Sequence, residues 1–184
     1  MICLQFSLSS HFLFLALWED KKCLISIQKE NFRQHSENFL THLNQALIQT
    51  NYSLKDIKEI YFTSQPSGQT GMRVSLSFLS TLQVLNPQIE IYHINTLLLQ
   101  SGIANCISLL TIDNQGNKHH LAVYQNKKPL LENKIVNKEE LDKIKNQFPN
   151  FLILKDFSEV DFLTNFQKLK NDFLLLKEID EINH

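Results

Sequence analysis

Apolar and polar residues alternate at the start of the chain, where Ile2, Leu4, Phe6 and Leu8 fall on one side of an extended backbone. His11–Trp18 is then almost continuously apolar, Glu19-Asp20-Lys21-Lys22 is a polar turn, and Cys23–Gln28 alternates again. This predicts three strands in an antiparallel meander, the middle one buried on both faces. The period then changes. From Phe32 to Thr50, the residues Phe32, Phe39, Leu43, Ala46, Leu47 and Thr50 recur at helical spacing, with Leu40 and Ile48 broadening the stripe and Asn31 as cap. Ser53-Leu-Lys-Asp56 reads as a capping-box start to one short turn. Ile57–Thr63, rich in β-formers, returns to the sheet.

The stretch Ser64-Gln-Pro-Ser-Gly-Gln-Thr-Gly-Met-Arg73 separates that strand from a helix running to Leu85. Strand, glycine loop and helix in this order bring backbone N–H groups to a ligand or partner in α/β proteins. Two of only four glycines, Gly68 and Gly71, lie here, which points to positive φ or close approach. An ordinary turn is the plain alternative. The helix carries two apolar stripes: Val74, Phe78, Leu82 and Leu85 on one side, Met72, Leu76 and Leu79 on another, with Ser75, Ser77 and Ser80 between. One stripe must cover the sheet. The second suits either the Phe32–Thr50 helix or a partner chain, and spacing assigns that role to Met72, Leu76 and Leu79.

Ile89–Ile94 predicts a further strand, and Asn95 caps a short helix ending at Ser101-Gly102, completing β-β-β-α-β-α-β-α. Beyond it Asn105–Ile112, Lys118–Gln125 and Leu130–Val136 read as strands, Lys138–Gln147 as a helix capped by Asn137, Phe151–Lys155 as a strand and Glu159–Lys170 as a helix. Phe173–Leu176 fits a terminal strand or a last helix. A boundary near Gly102 divides an N-terminal subdomain, 1–102, from a shortened C-terminal α/β subdomain, 103–184. No internal repeat stands out.

Composition narrows the classes. With 184 residues, 43% of them hydrophobic, the chain suffices for a packed domain or two small ones. A net charge of −1 without a basic block argues against a dedicated nucleic-acid surface. Cys3, Cys23 and Cys106 are odd in number and lack zinc spacing, as expected of buried thiols in a reducing compartment. The run Phe12–Leu17 has no preceding Lys or Arg and is far short of the roughly 20 apolar residues of a membrane span. A soluble, cytoplasmic protein is expected.

Catalytic patterns are sparse. GxxxxGK[ST] and HExxH are absent. His35 and His42 would sit about 10 Å apart along one helix, and His119-His120 would point to opposite faces of a strand. Ser36 lies in a helix without a glycine elbow. No catalytic and no metal-binding residue is therefore expected. Arg73, with the free N–H groups of the helix start, could meet a phosphate or a partner carboxylate, or simply pair locally.

Arg33-Gln-His-Ser-Glu37, the helix after it, Ser53-Leu-Lys-Asp-Ile57 and Thr70-Gly-Met-Arg73, in this order and spacing, resemble the TsaB family of bacterial, YeaZ-like tRNA threonylcarbamoyladenosine biosynthesis proteins. The likeness covers about Phe32–Gly102, extends to the first strands and fades in the C-terminal half. The family loop reads approximately Gly-Pro-Gly-Ser-Phe-Thr-Gly-Leu-Arg. Here it is Gln65-Pro66-Ser67-Gly68-Gln69-Thr70-Gly71-Met72-Arg73, so Pro66, Thr70, Gly71 and Arg73 match while two early glycines and the aromatic residue are missing.

The resemblance implies an actin/Hsp70-like (ASKHA, ribonuclease H-like) mixed sheet with flanking helices and a reduced second half. It implies a non-catalytic paralogue that pairs with TsaD, which carries the metal and transfers the threonylcarbamoyl group to the adenosine next to the anticodon. The ATPase TsaE joins that pair, and tRNA is met only through the complex. Pairing through the helices Phe32–Thr50 and Gly71–Leu85 would place Ser36, Phe39, Leu40, Leu43, Leu47, Met72, Leu76 and Leu79 at the interface. Gly68, Thr70, Gly71 and Arg73 would lie near it or at a phosphate. No cofactor of its own is implied, with ATP or ADP at the junction with the partner. Related phosphotransferases carry an Asp on the first strand where this chain has Phe6, and four glycines cannot supply several phosphate loops. Two other readings are an autonomous nucleotide-dependent phosphotransferase of the same fold and a homodimeric binding module.

Overall fold

In the computed structural model the alternation of the first residues becomes β1 (Ile2–Leu8), followed by β2 (Phe12–Glu19) and β3 (Lys22–Glu30), paired as the antiparallel meander predicted. The structure describes residues 1–8, 12–30, 35–113, 115–158, 160–178 and 182; the proposed cap Asn31, together with Phe32 and Arg33, lies outside them. After α1 (His35–Thr50) a single 3-10 turn, Leu54–Asp56, begins at Ser53, whose N–H and hydroxyl both donate to the Asp56 carboxylate at 2.8 and 2.7 Å. Then come β4 (Ile57–Thr63), α2 (Gln69–Leu85), β5 (Glu90–Ile94) and α3 (Thr96–Ser101). By compactness the chain divides into Met1–Ile94 with Asp172–His184, and Asn95–Asn171; Gly102 lies within the second unit.

In the first unit the strand order is β10-β5-β4-β1-β2-β3, where β10 (Leu174–Leu175) pairs antiparallel with β5. The ambiguous tail is therefore a short strand. β1, β4 and β5 are parallel, and two antiparallel steps make β3 parallel to them as well. Both α1 and α2 thus cross over between parallel strands in the same direction across the sheet. Right-handed crossovers then put both helices on one face, running the same way. Ile2, Leu4, Phe6 and Leu8 meet them there with Leu13, Leu15, Leu17, Ile57, Ile60 and Phe62.

The helices are seated by rings. Phe6 lies 5.0 Å from Phe39 and 5.9 Å from Phe78, and Phe39 meets Phe78 edge-on at 5.0 Å. Such tilted and edge-to-face pairs contribute about 0.5–1.5 kcal/mol each beyond the area buried. On the other face of the sheet the polar side chains are satisfied within the unit: Trp18 Nε1 donates to Gln5 at 2.9 Å, and the Ser7 and Thr63 hydroxyls meet at 2.8 Å.

The buried positions of α2 are Gly71, Ser75, Phe78, Leu79 and Leu82. Leu79, assigned by spacing to an outward stripe, is 0% exposed in the core, whereas Met72 and Leu76 are half-buried. The inward side therefore lies between the two stripes, taking Phe78 and Leu82 from one and Leu79 from the other; the small residues Gly71 and Ser75 lie on it, where the helix comes closest to β1. The Ser75 hydroxyl is satisfied by donating to the Gly71 carbonyl at 2.9 Å.

The second unit follows the same path. β6 (Cys106–Thr111), β7 (His119–Gln125) and β8 (Lys128–Val136) form an antiparallel meander, α4 (Lys138–Gln147) crosses over, and β9 (Leu152–Lys155) pairs parallel with β6 in the order β8-β7-β6-β9. α5 (Phe162–Lys168) follows, capped by Asp161. The buried Gln100 amide of α3 donates to the Ser108 hydroxyl at 2.7 Å and to the carbonyls of Leu109 and Leu154 at 3.1 Å, tying this helix to both parallel strands.

Two predictions follow from these environments. Leu79→Ala should destabilise the chain by about 2–5 kcal/mol and Leu76→Ala by less than about half of that, read from urea unfolding. Equal losses would contradict the assignment of the inward stripe. The His119 and His120 rings are held below the ordinary imidazole range chiefly by burial; Lys155 adds to this for His119, while Asp156 and Asp113 oppose it. Rings with a depressed folded pKa bind fewer protons in the folded state. Their contribution to stability is complete above the unfolded value of about 6.5 and is lost as pH falls through the folded values. The urea midpoint should therefore drop between about pH 7 and pH 5, and replacing both rings by Leu should flatten that drop.

Candidate functional site

α1 and α2 each bury one stripe against the sheet and leave apolar side chains beside it. On α1, Leu40 is 53% and Ile48 67% exposed; on α2, Leu85 is 61% exposed. Together with the half-buried Val74 these border an open groove of about 1100 Å³ between the two helices. Its floor is Leu43, Leu47, Phe78 and Leu82, which also belong to the core. Ser77, Thr81 and Asn44 add short polar positions; the Thr81 hydroxyl donates back to the Ser77 carbonyl at 2.9 Å. Tyr52 and Leu54 close the end beyond α1, with the Tyr52 hydroxyl fixed by a 2.6 Å bond to the Glu19 carboxylate.

The residues expected at an interface are thus distributed unevenly. Leu40, Leu43 and Leu47 line the groove. Phe39 and Leu79 are wholly buried and, like Met72 and Leu76, do not line it. Ser36 belongs to α1, but its side chain, like that of His35, lies outside the described residues. The groove face of α2 is Val74, Ser77, Phe78, Thr81, Leu82 and Leu85; of the stripe that spacing turned toward the sheet, Phe78 and Leu82 do pack in the core, while Val74 and Leu85 border the groove. Ile48, Tyr52, Leu54 and Lys55 also line it and were not singled out.

The glycine loop has a seating function. A Cβ on Gly71 would run into the carbonyl oxygen of Leu8, so the first turn of α2 rests on the end of β1 only with glycine there. Gly68 is the N-cap at φ −63°, ψ 140°, a conformation open to other residues. Ser64 is held to β5, its N–H and hydroxyl donating to the Ile94 carbonyl at 2.8 and 3.1 Å. Thr70 and Arg73 are exposed, and Arg73 lines one end of the groove.

The remaining candidate chemistry is dispersed. Phe6 sits at the centre of the ring cluster, and its neighbours Gln5 and Ser7 are engaged by Trp18 and Thr63. His119 and His120 face opposite sides of β7: His119 Nδ1 lies 3.3 Å from the Thr111 hydroxyl, which donates to Asp156 at 2.6 Å. Among the described residues no three His, Cys, Asp or Glu side chains come together as a metal site, so these residues do not fit a resident metal. None of the described helices is long and apolar enough to cross a membrane.

Residues 27–168, most of the chain, match the family model of TsaD, tRNA N6-adenosine threonylcarbamoyltransferase. No curated protein matches significantly by sequence. Among solved structures, YeaZ from Pseudomonas aeruginosa superposes with a TM-score of 0.58 at 15% identity, over 74% of this chain and 66% of that one, just under two thirds of its length. A second, described as a protein with similarity to peptidase YEAZ from Pseudomonas aeruginosa, gives a TM-score of 0.69 at 12% identity, over 98% and 96%. At such identities the likeness is one of fold, and that fold is the ASKHA, ribonuclease H-like architecture expected from the sequence.

Gly71→Ala should cost roughly 1–3 kcal/mol or more, because the clash is with backbone, and Gly68→Ala less than about 1 kcal/mol. Thermal melts of the two variants check this; equal effects would remove the seating role of Gly71.

Proposed function

The chain belongs to the TsaD family, tRNA N6-adenosine threonylcarbamoyltransferase, and on that premise we propose that it is a non-catalytic scaffold subunit of the tRNA N6-threonylcarbamoyladenosine transferase complex. It pairs with a catalytic TsaD paralogue and stabilises it. The single observation that carries this reading is the apolar groove between α1 and α2, whose rim of Leu40, Ile48, Val74 and Leu85 has no covering element within the described residues. An apolar groove with polar positions at its rim is a feature of interaction sites. Helices from a partner laid along it would complete a bundle, with Phe39 packed against Phe78 of the groove floor.

The absence of chemistry in this subunit is part of the proposal. Where metal and phosphate would need a carboxylate on the first strand, β1 offers Gln5, Phe6 and Ser7, all engaged in packing or hydrogen bonds. Transfer of the threonylcarbamoyl group then falls to the paralogue, with tRNA met only through the complex, TsaE joining as ATPase and any ATP or ADP at the junction between subunits. The reaction would take place in the cytoplasm.

Co-expression with the paralogue from the same organism, sized by light scattering, tests the reading. A stoichiometric heterodimer is expected, together with threonylcarbamoyl transfer to tRNA by the reconstituted set and none by this chain alone. Leu40→Asp or Ile48→Asp should weaken pairing by about 100-fold while leaving the chain folded, since a carboxylate would be buried without a partner. A chain that remains alone or self-paired in excess paralogue, with and without nucleotide, would refute it.

A further inference from the structure

α2 has two flanks, and the groove takes only one of them. At about 100° per residue, Met72, Leu76 and Gln83 fall on the opposite flank, next to the buried Leu79. α1 lies over β2 and β3, so this second flank of α2 faces the β5–β10 side of the sheet. Met72, Leu76 and Gln83 are half-buried there. Leu176, 4% exposed beside Ile91, closes the core on that side, and Ile182, 6% exposed, joins the same cluster.

This closing segment is attached at two places. The chain leaves the unit after Ile94 and re-enters it at Asp172. The first attachment is β10: Leu174 and Leu175 pair with His93 and Tyr92, and Leu176 N–H donates to the Ile91 carbonyl at 2.8 Å. Beside it the Phe173 ring stands edge-on to Tyr61 at 5.2 Å. The second attachment is Ile182, whose carbonyl accepts from Gln65 Nε2 at 3.3 Å. Ile91 lies near the start of β5 and Gln65 just past the end of its parallel neighbour β4, so the attachments stand at opposite ends of the sheet. Residues 179–181 are outside those described.

The two attachments are unequal. Sheet pairing and a ring contact hold the first. The second depends on one apolar side chain and one neutral hydrogen bond from an exposed residue, and such a bond adds little net stability. Parts of a fold held by few buried contacts open locally while the rest stays folded. Gln65 also begins the glycine loop, directly after Ser64, whose bonds to Ile94 fix the point from which the amide reaches. In the TsaB loop pattern a glycine stands at this position, with no side chain to make the bond.

We propose that residues 172–182 form a strap, hinged at β10 and latched by Gln65, that covers the second flank of α2. While latched, Ile182 shields Met72 and Leu76 from water. An acceptor presented to the loop by a bound partner competes for the Gln65 amide, and the population shifts toward an open strap with that flank bared. The glycine loop thereby governs an apolar surface on the other side of α2 from the groove. This role does not depend on what occupies the groove.

The chain supplies its own probe. Its two methionines are Met72, on the covered flank, and Met1, 55% exposed at the other end of β1. Oxidation of the full chain by dilute hydrogen peroxide, followed by mass spectrometry, reads Met72 against Met1. Gln65→Glu keeps the size of the side chain, removes the donor and should speed Met72 oxidation about fivefold. Ile182→Ala should speed it about tenfold. Combining the two should give no more than Ile182→Ala alone, because the latch acts through Ile182. Circular dichroism of each variant should match that of the wild type. If Gln65→Glu leaves Met72 within about twofold of wild type, or if its effect adds in full to that of Ile182→Ala, there is no latch and the proposal falls. Should Ile182→Ala fail to fold, Gln65→Glu, at an exposed position, decides alone: faster oxidation of Met72 upholds the latch, and an unchanged rate overturns it.

Discussion

The packing of Phe6, Phe39 and Phe78 is the constraint from which the first unit takes its shape. One ring comes from the central strand and one from each crossover helix, and edge-to-face geometry leaves little freedom in how α1 and α2 lie on the sheet. The contact of Gly71 with the Leu8 carbonyl sets the start of α2 against the end of β1. With both helices held in this way, the groove between them is a consequence rather than a separate feature. Phe78 shows this directly, since it contributes to the core and to the groove floor.

Much of this architecture is legible in the residues. Alternation over Ile2–Leu8 and Cys23–Gln28, the Ser53–Asp56 turn, the β-formers of Ile57–Thr63 and the caps Asn95 and Asn137 all stand where local chemistry puts them. Local rules suffice there because each depends on a period or on one hydrogen bond. The facing of α2 is different. Its two stripes are both apolar, and the buried side falls between them, where Leu8, a residue distant in sequence, approaches Gly71. Glycine scarcity did signal close approach, but the approach is of strand backbone to helix backbone. The groove escaped for the same reason: Ile48 comes from α1, Leu54 and Lys55 from the 3-10 turn after it, and no periodicity links them to Val74 and Leu85.

The doubling of the β-β-β-α-β path was also invisible, because topology can repeat without any repeat of sequence. The two copies differ in a way that bears on function. α4 buries Leu141 and Ile144 and is otherwise strongly charged, with Lys145 paired to Asp142 at 3.9 Å. It has one apolar stripe, satisfied by the Ile107, Leu109, Leu121, Val123 and Val136 cluster. α1 and α2 have the same kind of inward stripe and, in addition, apolar side chains on their flanks.

That surplus needs a physical reason. Scattered exposed apolar residues are normal on a folded protein, and single examples elsewhere in the chain require no account. Those of α1 and α2 are not scattered. Leu40, Ile48 and Leu85 border one cavity, while the charged residues that would ordinarily keep such helices solvated are confined to its two ends. A chain acting alone gains nothing from leaving that surface in water, since each buried CH₂ is worth about 0.8 kcal/mol. The stripe beneath it already holds the helices in place, so folding does not demand it. It is this surface that the proposed pairing would cover.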